Sequence, residues 1–90
     1  MNLGGKDVQN FKFFYRNGCH LCEDMYLLLQ AYEKFETISF ELINIDRDPK
    51  IKDKYGLLIP VLTDNDENEI CHYFFDKQRF EAIINISNLG

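Results

Sequence analysis

The sequence has no tryptophan, only two prolines and only three cysteines among its 90 residues. Three is an odd number of cysteines, and two of them, Cys19 and Cys22, stand three positions apart. Such a set is ill suited to a disulfide-stapled secreted scaffold and is typical of a redox or metal site. No apolar run approaches the roughly 20 residues that a membrane helix needs, and the polar first residues do not read as a secretory signal. We therefore expect a cytoplasmic protein without membrane contact.

Positive charge is also scarce, because 10 Lys and Arg stand against 15 Asp and Glu, a formal net charge of -5. The basic residues are scattered and form no patch that would bind a phosphate backbone, so nucleic acid is not an expected partner. By contrast, 46% of the residues are hydrophobic, which is ample for the core of one small domain. We predict a flexible leader over residues 1–10, one monomeric domain over residues 11–86 and a tail over residues 87–90.

Hydrophobic periodicity predicts the element order β-α-β-α-β-β-α. Strands are predicted over residues 11–15, 38–45, 60–63 and 69–74, and helices from residue 22, from Asp48-Pro49 and after Asp76. The initial strand–helix–strand unit implies a parallel pair joined by a right-handed crossover. The polar turn between the last two strands implies an antiparallel hairpin. The expected fold class is α/β, a four-stranded mixed sheet flanked by helices on both faces.

The same pattern predicts which side chains enter the core. Cys71 is expected to be a small buried hydrophobe, with a regulatory disulfide or glutathionylation as the alternative. Gly56 is placed to end the second helix in a left-handed conformation. The other side chains expected inside come from the first and last helices and from the aromatic residues of the strands: Phe11, Phe13, Met25, Leu28, Leu29, Tyr32, Phe35, Phe40, Phe74, Phe80, Ile83 and Ile84.

The segment Cys19-His20-Leu21-Cys22 lies at the predicted junction of a strand and a helix. Two cysteines at this spacing bring their sulfur atoms within bonding reach. The free N–H groups at a helix N-terminus stabilise a thiolate, which lowers a thiol pKa from about 8.5 to roughly 3.5–7.5. We predict that Cys19 is the nucleophile and that Cys22, one turn into the helix, is the resolving thiol. Positive charge on His20 or Arg16 would favour the thiolate further.

Residues 14–23, Phe-Tyr-Arg-Asn-Gly-Cys-His-Leu-Cys-Glu, resemble the active-site segment of glutaredoxin-like proteins in the thioredoxin superfamily. The resemblance is strongest to a small bacterial group with a Cys-His-Leu-Cys site, and it covers about residues 11–84. It implies a thioredoxin-like fold and thiol–disulfide oxidoreductase activity on protein disulfides or glutathione mixed disulfides, sustained by a reductase system of unknown identity. It also implies a cis peptide bond before Pro60 beside the cysteine pair, with the backbone of Ile59 free to bind substrate.

One segment departs from the family pattern. Glutaredoxins that use glutathione have a Gly-Gly pair and an acidic residue after the fourth strand, where residues 73–76 here read Tyr-Phe-Phe-Asp. We therefore expect no cofactor and no bound metal, and we leave glutathione open as a co-substrate. Asp76 is expected either to bind the ammonium group of glutathione or only to cap the last helix. Two alternatives stay open: a zinc or iron–sulfur binding module that uses the cysteine pair, and a non-catalytic thioredoxin-like interaction domain.

Overall fold

The computed structural model describes residues 8–84, which form a four-stranded sheet with helices on both faces. In chain order the elements are β1 (Gln9–Tyr15), α1 (His20–Gln30), β2 (Ile38–Asn44), a 3-10 helix (Ile45–Arg47), α2 (Pro49–Tyr55), β3 (Val61–Asp64), β4 (Glu69–His72) and α3 (Lys77–Ile84). The predicted order and the α/β fold class are confirmed, with the 3-10 helix as an addition. β1 begins two residues before the predicted strand, whereas residues 1–7 of the predicted leader and the whole predicted tail lie outside the described residues.

The strands lie in the order β2-β1-β3-β4, so β1 occupies a central position. β1 pairs in parallel with β2 and antiparallel with β3, and β3 pairs antiparallel with β4. Phe13 and Phe14 are consecutive in β1 and both are buried. Because successive side chains of a strand point to opposite faces, this pair shows that both faces of the sheet are covered.

The sheet separates two hydrophobic clusters. One face packs against α1 and α3, with Phe13, Met25 and Phe80 among its buried residues. The opposite face carries Phe14 and Tyr55, whose rings stack with their centroids 4.1 Å apart, so α2 covers this side. The larger cluster therefore lies under α1, the helix that follows the cysteine motif.

Three side chains predicted to be buried are exposed. Phe74 is 70% exposed because β4 ends at His72 and the chain leaves the sheet before it. Leu28 is 53% exposed because α1 turns a narrower face to the core, which it fills with Cys22, Met25 and Leu29. Ile83 is 39% exposed, since α3 buries Phe80 and Ile84 instead.

The prediction of a left-handed cap at Gly56 is wrong. Gly56 has φ -58° and ψ -30°, and its N–H group donates to the carbonyl of Lys52 over 2.8 Å, so it continues the right-handed turn of α2. Its lack of a side chain matters for another reason, because a Cβ atom there would lie 2.5 Å from the Lys52 carbonyl oxygen. Close approach of backbone explains this glycine.

Candidate redox site

The two cysteines of the motif stand at the N-terminus of α1 and are joined by a disulfide. β1 ends at Tyr15, and a turn in which Gly18 takes a φ of 78° brings the chain to Cys19. Cys19 is the N-cap of α1, in an extended conformation, and its Sγ accepts a hydrogen bond from the Cys22 N–H group over 3.1 Å. The sulfur of Cys19 thus occupies the place where an N-capping group satisfies a free helix donor.

The two sulfur-bearing residues differ in accessibility. Cys22 is only 3% exposed and belongs to the larger core cluster, together with Met25 and Leu29 from the same helix face. Cys19 is half-buried and packs on the edge of that cluster. A partner therefore reaches Cys19 more readily than Cys22, the asymmetry that a nucleophile and a resolving thiol require.

Arg16, predicted to favour the thiolate, is directed at a carboxylate instead. Its Nη2 and Nε donate to the two carboxylate oxygens of Asp46 over 2.6 and 3.2 Å. The pairing raises the pKa of Arg16 and lowers that of Asp46, through the hydrogen bonds first and charge attraction second. His20 is the exposed first residue of α1. In residues 8–84 neither side chain has a hydrogen bond to Cys19, so their effect on the thiolate stays a prediction.

A cavity of about 250 Å³ lies beside Cys22, a feature that the sequence did not predict. Its walls come from the end of β1, the following turn and the start of α1, and Leu42 of β2 is the one lining residue that is distant from them in sequence. It is bordered by one cation and one acid among mostly apolar and small residues: Phe13, Tyr15, Arg16, Asn17, Gly18, Cys22, Glu23, Tyr26 and Leu42.

The Ile59–Pro60 peptide bond is cis, the form that the resemblance implied. The register of the sheet places it near the motif, because Phe14 near the end of β1 pairs with Val61 at the start of β3. The N–H group of Ile59 donates to the carbonyl of Tyr55 over 3.1 Å. The expectation that both backbone groups of Ile59 are free is therefore wrong for the N–H group, and its role in substrate binding stays a prediction.

Asp76 caps α3, one of the two roles expected for it. Its Oδ1 accepts a hydrogen bond from the Arg79 N–H group over 3.0 Å, and its carbonyl accepts one from Phe80 over 3.0 Å. Cys71, the third cysteine, is buried in β4, and burial raises the pKa of its thiol. Within residues 8–84 no three potential metal ligands come together.

A family model described as "Glutaredoxin-like domain (DUF836)" matches residues 10–85. The chain belongs to this glutaredoxin-like family. The resemblance seen in residues 14–23 is thereby confirmed at the level of the family. No curated protein matches the sequence of this glutaredoxin-like domain. In its described part, no helix has the length and apolar character needed to cross a membrane.

Several solved structures are similar to this glutaredoxin-like domain, among them the following three. The solution structure of protein Ne2328 from Nitrosomonas europaea is 34% identical, with a TM-score of 0.75, and the match covers 92% of this chain and 98% of that one. The X-ray structure of protein XcR50 from X. campestris is 29% identical, with a TM-score of 0.59 and coverage of 84% and 96%. Thioredoxin 1 from Thermosipho africanus is 21% identical over 88% and 98%, with a TM-score of 0.58, and supports the thioredoxin-like fold alone.

Proposed function

We propose that this domain is a thiol–disulfide oxidoreductase that cycles Cys19 and Cys22 between a disulfide and a dithiol. The observation that carries the proposal is the disulfide at the N-terminus of α1, with the Cys22 N–H group donating to the Cys19 sulfur. In the reduced protein the same N–H group and the helix dipole would stabilise a thiolate on Cys19. That stabilisation favours nucleophilic attack by Cys19 at neutral pH.

Reduction of a target proceeds in two exchanges. The Cys19 thiolate attacks one sulfur of the target disulfide, forming a mixed disulfide and releasing the other target sulfur as a thiolate. Cys22, after losing its proton, attacks the Cys19 sulfur, which closes the internal disulfide and releases the second target thiolate. Two electrons pass from the cysteine pair to the target, and protons from the two thiols end on the released sulfurs or in solvent. A thiol or dithiol reductant must then restore the pair.

The surroundings of the pair support this division of roles. Burial of Cys22 restricts it to attack within the mixed disulfide, whereas partly exposed Cys19 is open to the target. Target disulfides in proteins or with glutathione are the proposed substrates, and Ile59 and cis-Pro60 are proposed to contact them. A cytoplasmic location, where reducing systems keep thiols available, fits this activity.

A redox titration tests the proposal. The purified domain, stripped of metal, is equilibrated in glutathione buffers of known ratio, quenched by alkylation and analysed by mass spectrometry. We expect a reversible two-electron transition that maps to Cys19 and Cys22. If the two thiols stay reduced at every ratio, the proposed function is wrong.

A trapping variant tests the order of the two exchanges. In a Cys71→Ser background, Cys22→Ser should accumulate mixed disulfides through Cys19, because the second thiol needed for release is missing. Cys19→Ser in the same background is the matched control and should accumulate far less, since its remaining thiol is buried. Equal trapping by both variants would contradict the assigned roles.

A further inference from the structure

An exposed apolar surface lies beside cis-Pro60. We call Leu57, Ile59, Tyr73 and Phe74 the apolar rim. Leu57 is 90% exposed, Phe74 is 70% exposed and Tyr73 is 39% exposed. Large apolar side chains that stand together in solvent mark surfaces that contact a partner.

The sheet register places the apolar rim at the same edge as the cysteine motif. Phe14 pairs with Val61, and Val61 pairs with His72, so the residues after β1, before β3 and after β4 all lie at one edge. The N–H group of Tyr73 extends this pairing by donating to the Pro60 carbonyl over 2.9 Å. Cys19 and Ile59 also pack against the same core cluster.

Within the apolar rim, Tyr73 is held in a fixed conformation. Tyr73 has a φ of 62°, a left-handed conformation that costs a non-glycine residue roughly 1–2 kcal/mol. Three contacts maintain it: the bond to Pro60, a hydrogen bond from the Tyr73 hydroxyl to the Leu57 carbonyl over 2.7 Å, and edge-on packing against the His72 ring at 4.6 Å. The strained turn directly precedes Phe74 and thus fixes where it leaves the sheet. Surroundings that preserve such strain are typical of functional sites.

The apolar rim is also free of charge. Residues 57–60 and 73–75 include no acidic or basic side chain. The neighbouring charges are engaged elsewhere, since Asp76 caps α3 and the His72 ring lies 2.8 Å from the carboxylate of Glu69. A ligand with carboxylates, such as glutathione, would find no cation within these two segments to offset the loss of its hydration. An uncharged apolar segment would bury against the rim without that loss.

Backbone pairing is limited at this edge as well. The Ile59 N–H group is bound to Tyr55 and the Pro60 carbonyl is bound to Tyr73. An extended substrate cannot pair with these two groups, so side-chain contacts must supply more of its affinity. Exposed aromatic residues are well suited to this because each offers a large contact area at a small entropic cost.

We propose that the apolar rim selects protein disulfides whose cysteine is flanked by uncharged, apolar residues, in preference to glutathione disulfide. The inference rests on the proposed function, since the rim binds the segment whose disulfide Cys19 attacks. The exchange itself is unchanged: the same bonds form and break, and the same two electrons pass to the target.

The test compares oxidation of the pre-reduced Cys71→Ser domain by three disulfides, followed by alkylation quench. The probes are a peptide disulfide with Leu and Phe beside its cysteine, the same peptide with Asp at those positions, and glutathione disulfide. We expect the apolar peptide to react about tenfold faster than either charged probe, a difference that one or two buried side chains supply. The double variant Leu57→Ser/Phe74→Ser should lower the ratio of the apolar-peptide rate to the glutathione-disulfide rate by about tenfold.

Leu28→Ser is the matched control, because Leu28 is 53% exposed on α1 and lies outside the apolar rim. It should leave the rate ratio unchanged. An unchanged ratio in the double variant would overturn the inference while the proposed function stands. So would a dimer in sedimentation analysis that the double variant abolishes, because a second copy of the chain would then occupy the rim. Failure of all three disulfides to oxidise the pair would instead refute the proposed function. Thermal unfolding of each variant confirms that it is folded.

Discussion

Cys71 and Cys19 are chemically identical residues in opposite surroundings. Burial raises the pKa of the Cys71 thiol, whereas Cys19 caps a helix and is partly exposed. After reduction we expect iodoacetamide at pH 7 to modify Cys19 at least about tenfold faster than Cys71, because the thiolate is the reactive species. Peptide mapping by mass spectrometry measures the two rates. In denatured protein they should converge, and similar rates in the folded protein would contradict the prediction.

Residue identity predicted the disulfide-bonded cysteine pair but not its neighbours. The three-position spacing of Cys19 and Cys22 at the start of a helix predicted that their sulfur atoms lie close together, because the backbone between them has little conformational freedom. The partner of Arg16 was not predictable in this way, since Asp46 lies 30 residues away in the chain. The exposure of Phe74 was missed for a related reason: composition marks it as apolar, and only the end of β4 shows that nothing covers it.

At the scale of elements, Glu67 ties the β3–β4 turn to two other parts of the fold. Its carboxylate accepts hydrogen bonds from Lys12 of β1 over 3.1 Å and from the hydroxyl of Tyr55 in α2 over 3.0 Å. These bonds lower the pKa of Glu67. We expect Glu67→Gln to reduce the free energy of unfolding at pH 7 by about 0.5–1 kcal/mol, the range of a partly exposed ion pair.

The pH dependence of that difference follows from the sign of the shift. A carboxylate whose pKa is lowered in the folded state contributes its stability above the unfolded pKa, and loses it as the pH falls through the folded value. Urea unfolding of Glu67→Gln and wild-type protein should therefore converge in strong acid. Asp66→Asn, in the same turn, is the control, because its carboxylate makes no ion pair among the described residues. A similar loss in both variants would contradict the role of Glu67.

Gly56 provides a second test at this scale. A Cβ atom at this position would lie 2.5 Å from the Lys52 carbonyl oxygen, so Gly56→Ala forces the end of α2 to shift. We expect a loss of about 1–3 kcal/mol in the free energy of unfolding, the usual cost of overpacking. Denaturant unfolding measures it. Unchanged stability would show that the backbone adjusts freely, which the right-handed φ of Gly56 alone would permit.

The elements themselves were largely predictable, and their ends were not. Periodicity and helix-start signals predicted the four strands and three α-helices of residues 8–84, because the same apolar positions that define an amphipathic pattern also form the core. The strand predicted to reach residue 74 stops at His72, where Tyr73 turns left-handed and binds Pro60. The left-handed backbone of Tyr73 turns the chain away from the sheet there, and its hydrogen bond to Pro60 joins residues that are distant in sequence, which local sequence does not encode.

At the scale of the whole molecule, Phe80 joins α3 to the larger cluster. It is fully buried, and its ring contacts those of Phe11 and Tyr32, each with centroids 4.9 Å apart. We expect Phe80→Ala to lower the free energy of unfolding by about 3–5 kcal/mol through lost burial and the cavity left behind. Against the 5–15 kcal/mol typical of small domains, such a loss leaves little stability.

Phe74→Ala is the matched control for Phe80→Ala, since it removes the same side chain from a position that is 70% exposed. Its cost should stay within about 0.5 kcal/mol, as for most surface substitutions. Denaturant unfolding of the two variants therefore separates the two parts that aromatic residues play in this chain. Phe80 stabilises the domain, whereas Phe74 remains in solvent, free for a partner to bind. A large loss of stability in Phe74→Ala would place that ring in the core and contradict its assignment to the apolar rim.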